Sequence, residues 1–65
     1  MKKIRFYRLL AEKTQEQLGR ESNCSQSLIS LFERGKVFPG RSLKKEIARA
    51  LNRSEEEVFP DEDKD

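Results

Sequence analysis

The residues best placed to do chemistry in this chain are Gln26, Ser27 and Ser30, with Arg34 one turn further on, within the stretch SQSLISLFERG at 25–35. Stepping by 100° per residue from Gln26, Leu28, Ile29 and Phe32 gather between about 200° and 300°, while Gln26, Ser27, Ser30, Leu31 and Arg34 occupy about 0° to 140°. A solvent-facing helix surface ordinarily carries Glu and Lys, which favour helix and solubility. Here the polar side carries Gln, Ser and Ser. Such short neutral groups approach base edges without repelling phosphates, and glutamine pairs bidentately with adenine N6 and N7. The alternative for Ser25 and Ser27 is that they only cap the start of the helix.

Other chemistries find little support. The chain has no histidine and one cysteine, Cys24, so the usual zinc sites and the Cys-His and Ser-His-Asp nucleophile systems are excluded. Neither a metal nor another cofactor is expected, and no small-molecule ligand is evident. The carboxylates of Glu55–Glu57 and of the final residues sit in a capping turn and a polar end without convergent partners, so no enzyme is expected. A lone cysteine agrees with a reducing compartment. No apolar run is long enough to span a bilayer, and the basic start, MKKIRFYR, lacks the apolar core of a signal peptide. The expected location is the cytoplasm, associated with a prokaryotic nucleoid through DNA binding.

Sixty-five residues with 34% hydrophobic and 40% charged content form one small domain with a small core. The net charge of +2 is unevenly spread. Residues 1–53 carry 13 Lys/Arg against 5 Glu, a net of +8, and residues 54–65 carry 1 Lys against 7 Asp/Glu, a net of −6. A basic body suits a nucleic-acid partner, although helical surfaces are commonly charged and charge alone does not decide.

Helical periodicity recurs along the chain and no segment alternates like a strand. Helix 1 is expected from about Lys2 to Lys13, with Ile4, Tyr7 and Ala11 inward and Phe6 and Leu10 widening that face. Thr14 and Gln17 form a capping box opening helix 2, which runs to about Ser22 and is anchored by Leu18. Asn23 suits a left-handed turn. Ser25 then caps helix 3, which extends to Arg34 and stops at Gly35. Helix 4 spans about Ser42–Leu51, with Leu43, Ile47, Ala50 and Leu51 as its stripe, and Asn52 ends it. Ser54 and Glu57 make a second capping box over a single turn closed by Pro60. The expected class is all-α, a compact bundle of five short helices. Domain limits are about 1–60, with the acidic end at 61–65 as a solvated tail. That tail has an alternative role, folding against the basic face and weakening non-specific DNA binding.

Two short helices joined by a tight turn over 14–35, the second with an uncharged polar face, form a helix-turn-helix pattern. From Ile4 to about Phe59 the chain resembles the phage repressor and Cro family, the xenobiotic-response-element type, which has the lambda-repressor-like fold. The markers are TQEQL at 14–18, SQSLIS at 25–30, ERGK at 33–36, Pro39, and IARALNRSEEEV at 47–58. The resemblance implies that helix 3 enters the major groove of double-stranded DNA. It implies a phosphate contact for Gln15 and base contacts for Gln26 and Ser27. Ser25 falls near a phosphate or base, and Ser30 and Leu31 form the next exposed turn. Backbone contacts fall to Arg34 and Arg41, with Lys36 adding to them. It also implies a structural ion pair between Arg8 and Glu33, and the helical angle of Glu33, beside the buried stripe, supports the same pairing; a phosphate contact is the alternative for Arg8.

Three positions depart from the family pattern. Gly19 stands where alanine is usual, Asn23 replaces the usual turn glycine, and Leu31 stands where a polar residue is common. Leu31 either touches a thymine methyl or is surplus apolar surface. Phe6, Leu9, Leu10, Leu31, Phe38 and Phe59 exceed what the helical stripes need, so Val58 and Phe59 are expected to pack back near Phe6 or Leu10. The remainder suggests a homodimer joined through the helix 4–5 region and its loops. The expected function is a sequence-specific transcriptional regulator acting on duplex DNA. The alternative is a protein-interaction module, antitoxin-like or coactivator-like, that docks a partner with the same fold. RNA is a weaker target, because helix 3 offers no aromatic stacking platform.

Overall fold

The computed structural model describes residues 1–60, and the acidic end at 61–65 lies outside them. Five helices follow one another: α1 (Lys3–Leu10), α2 (Gln15–Glu21), α3 (Gln26–Arg34), α4 (Arg41–Leu51) and α5 (Glu55–Val58). The all-α class is as expected. Each boundary has a local cause. The Thr14 hydroxyl accepts from the Gln17 amide at 3.0 Å while the Gln17 side chain accepts from the Thr14 amide at 2.8 Å. Ser25 accepts from the Leu28 amide at 3.0 Å. Asn23, Gly35 and Asn52 all take left-handed backbone conformations, closing α2, α3 and α4 where no further helical turn is wanted.

Ile4, Leu18, Ile29, Phe32, Ile47, Ala48, Leu51, Val58 and Phe59 form the core. Every helix contributes to it, so none of these short segments needs to be stable alone. Leu18, Ile29 and Ile47 are completely buried, which joins α2, α3 and α4 into one unit. Val58 and Phe59 fill the gap beside Ile4 and Phe32, and α5 thereby ties the end of the bundle to α1.

Helix α1 differs from its sequence-based reading. It stops at Leu10, not Lys13, because Glu12 adopts a left-handed conformation with φ of 58°. That turn directs Lys13 back across the bundle. Its ammonium donates to the Ala50 carbonyl at 2.8 Å and to Glu21, satisfying one of the carbonyls left open at the end of α4. The inward face of α1 is Ile4 and Arg8 with Tyr7 half-buried. Phe6, Leu10 and Ala11, expected inside, are exposed. Ala11 lies beyond the helix, and Val58 and Phe59 share the core with Ile4, so that α5 packs on α1 while Phe6 and Leu10 stay exposed.

The last capping box has a measurable consequence. The Ser54 backbone amide donates to Glu57 at 2.9 Å. With help from the Ser54 hydroxyl and Arg53, this holds the Glu57 carboxyl below its ordinary value of 4.5. A carboxyl whose folded value lies below its unfolded value contributes stability above the unfolded value and loses it as pH falls through the folded one. An NMR titration should therefore place the Glu57 midpoint below 4.5, with the helical signals of α5 weakening as pH falls through it; a midpoint at or above the ordinary value would contradict the cap.

Candidate nucleic-acid interface

The α2–turn–α3 unit depends on a close backbone approach. The Cys24 amide donates to the Gly19 carbonyl at 2.7 Å, and a Cβ built on Gly19 would lie 2.7 Å from the Cys24 carbonyl oxygen. Glycine thus lets the turn fold down onto α2, offsetting its helix-propensity penalty of about 1 kcal/mol. Ser22 is buried, and its hydroxyl donates to the Leu18 carbonyl at 2.6 Å. With Asn23 in the left-handed region at φ 63°, the chain reverses tightly enough to fix α3 across α2.

This places Gln15, Gln26, Ser27, Ser30, Leu31 and Arg34 around one shallow depression of about 340 Å³. Gln26, Ser27 and Arg34 are exposed, while Gln15, Ser30 and Leu31 are partly covered. Ile29 and Phe32 on the opposite side of α3 are buried, so the helix cannot rotate this face away without losing its core contacts. The surface offers neutral hydrogen-bonding groups, one aliphatic side chain and a cation at one end. It has no histidine, and among the described residues no group of three His, Cys, Asp or Glu is placed to hold a metal.

The remaining candidates lie around this surface. Ser25 is the N-cap of α3 and spends an acceptor lone pair on the Leu28 amide. Ser27 makes no such cap and lines the depression. Lys36 lies just beyond the end of α3, and Arg41 opens α4; both are exposed, and neither lines the depression. Lys2 was not anticipated at this end. Its ammonium sits 5.0 Å from the Phe38 ring centroid, and its Cε lies 3.1 Å from where a Gly35 Cβ would be. Lys2 falls outside the apolar face of the expected helix 1, so nothing in the sequence singles it out, and in the structure it is the N-cap of α1.

Beneath the depression lies a polar network. The Arg8 guanidinium grips the Glu33 carboxylate in a fork, Nε to Oε2 at 2.5 Å and Nη2 to Oε1 at 3.1 Å. The side chains are 10% and 4% exposed. Arg8 Nη1 donates to the Lys13 carbonyl at 2.8 Å. Gln15 Nε2 donates to Glu33 Oε1 at 3.0 Å, which orients its amide, since a carboxylate only accepts. One Gln15 N–H is therefore committed inward, and the second remains a donor toward the depression. No sequence signal assigns the hydrogen bond between Gln15 and Glu33.

A family model for a helix-turn-helix domain matches residues 3–58. Neither the curated proteins nor the solved structures yielded a match.

Removing one member of the buried pair leaves the other charge unmatched, which typically costs about 3–5 kcal/mol, whereas replacing both by apolar groups of similar volume is often neutral. Arg8→Met should lower unfolding stability by about 3 kcal/mol, and adding Glu33→Leu should restore most of it. Denaturant unfolding checks both. A loss from Arg8→Met of less than about 1 kcal/mol, typical of exposed pairs, would contradict the network.

Proposed function

The chain belongs to the helix-turn-helix domain family, and from that membership we propose that it is a sequence-specific regulator of transcription that reads duplex DNA with α3 in the major groove. One observation carries the reading. Gln15, Gln26, Ser27, Ser30, Leu31 and Arg34 converge on a single open surface rather than scattering around the two helices. The pattern of TQEQL, SQSLIS and ERGK, similar to that of the phage repressor and Cro type, supports the same assignment.

The roles divide by chemistry. Gln26 reads an adenine by its amide, and Ser27 and Ser30 bond to neighbouring base edges. Leu31, partly exposed in the middle of the surface, packs against a thymine methyl. Arg34, Lys36 and Arg41 bind phosphates, joined by the free N–H of Gln15 and by the Ser25 hydroxyl. Phosphate contacts supply affinity and position, and base contacts supply sequence preference. Two copies binding half-sites about one helical turn apart account for the small surface of each. With Phe59 buried in the core, the seam between copies falls to the α3–α4 loop, where Val37 and Phe38 are exposed.

Gln26→Ala should weaken binding to the preferred duplex by about 1–3 kcal/mol and leave binding to unrelated duplexes almost unchanged. Arg34→Ala should weaken binding to all duplexes alike and reduce the salt dependence by about one counterion. Labelled-duplex titrations over a range of salt measure both. A shallow salt dependence, or an equal loss on every sequence from Gln26→Ala, would contradict the assignment.

A further inference from the structure

Helix α1, KIRFYRLL, turns an apolar face outward. Taking Phe6 as zero and stepping by about 100° per residue, Leu9, Phe6 and Leu10 span roughly 300° to 40°, diametrically opposite Ile4 and Arg8. They are 47%, 44% and 56% exposed. Surface helices normally bury the apolar stripe and expose charge. Here the inward side holds the buried Arg8, while the outward side holds three large hydrophobes in one contiguous strip. Contiguous apolar surface rimmed by polar groups marks an interaction site more often than scattered apolar residues do.

On α1 itself the rim has one sign. Arg5 borders the strip beside Leu9, and Lys3 borders it beside Leu10, with its ammonium 5.5 Å from the Phe6 ring centroid. The Phe6 ring meets Tyr7 edge to face at 5.1 Å, and the Arg53 guanidinium lies over Tyr7 at 4.9 Å. Residues 1–13 contain five Lys/Arg and a single acid, Glu12, which lies past the end of the helix.

We propose that the outer face of α1 docks an acidic amphipathic helix of a partner protein, whose apolar stripe covers Phe6, Leu9 and Leu10 and whose carboxylates pair with Lys3 and Arg5. Charge complementarity selects this occupant. A second copy docked through the same face would set a helix with no acidic residue against itself, so every rim cation would meet another cation. The strip shares no residue with the depression formed by Gln15, Gln26, Ser27, Ser30, Leu31 and Arg34. The partner and a nucleic acid can therefore be held at once, and the docking does not depend on the DNA-reading assignment.

The test uses the full chain and a synthetic helical peptide with leucines at i, i+3, i+4 and i+7 flanked by glutamates. A second peptide carries lysines in place of the glutamates. The acidic peptide should shift the amide signals of Phe6, Leu9 and Leu10 and bind at least about tenfold more tightly than the basic one. Leu10→Glu and Arg5→Glu should each weaken it by about tenfold or more without lowering the thermal midpoint, since both side chains are exposed. Arg34→Ala should leave it unchanged. The proposal is overturned if the two peptides bind equally or not at all, or if the shifts map to Gln26 and Ser30. It is also overturned if sedimentation shows self-association abolished by Leu10→Glu, which makes the occupant a second copy. Binding of anionic vesicles through this face, with no preference for the acidic peptide, would likewise end it.

Discussion

The buried fork between Arg8 and Glu33 is the interaction on which the rest of this small bundle depends. It crosses from α1 to α3, and its spare valences reach the α1–α2 connection through the Lys13 carbonyl and α2 through Gln15. Burial of two charges is costly unless their hydrogen-bonding capacity is filled. No buried side-chain nitrogen or oxygen among the described residues lacks a partner. The network therefore does what a larger apolar core would do in a longer chain, but with direction. It fixes how α1 sits on α3 and, through Gln15, how the start of α2 faces the same side.

Lys13 extends that logic to the far end of the bundle. Its carbonyl receives Arg8 while its ammonium closes the end of α4 at Ala50. One residue thus couples the ion pair to the helix that buries Ile47 and Leu51. The left-handed Glu12 is the local strain that makes this possible, because a continued α1 would carry Lys13 away from both partners. With α1 ended early and its inward face given to Ile4 and Arg8, the remaining hydrophobes of that helix have no core left to enter. The apolar outer face of α1 is in this sense a consequence of the same constraint that holds α3 in place.

Local structure was largely legible from the chain because it is decided by local chemistry. Thr14, Ser25 and Ser54 cap, and Asn23, Gly35 and Asn52 turn, by bonds and backbone preferences that involve only near neighbours. The inward faces of α3 and α4 follow from periodicity and α2 from its single anchor Leu18, although in α4 the buried alanine is Ala48 and the expected Leu43 and Ala50 are only partly buried. Helix α1 has apolar residues nearly all round, so periodicity could not decide which enter the core. Glutamate has no preference for the left-handed region, so the residue type does not announce the turn that the Glu12 and Lys13 amides close onto the Leu9 and Arg8 carbonyls. The return of Val58 and Phe59 onto α1 was expected, but that they join Ile4 and Phe32 in the core while Phe6 and Leu10 stay outside is a long-range outcome. At the candidate interface, the angles around α3 identified the free face, but the inward bond of Gln15 required knowing where Glu33 lay.

What remains central is the proposal that the free face of α3 reads base sequence. The most direct measurement is selection of bound duplexes from a random pool, followed by sequencing. A short enriched motif, present as two inverted half-sites with centres about 10–10.5 base pairs apart, is the result that a major-groove reader acting as a dimer predicts. Recovery of an unenriched pool, or of duplexes related only by composition, would contradict it.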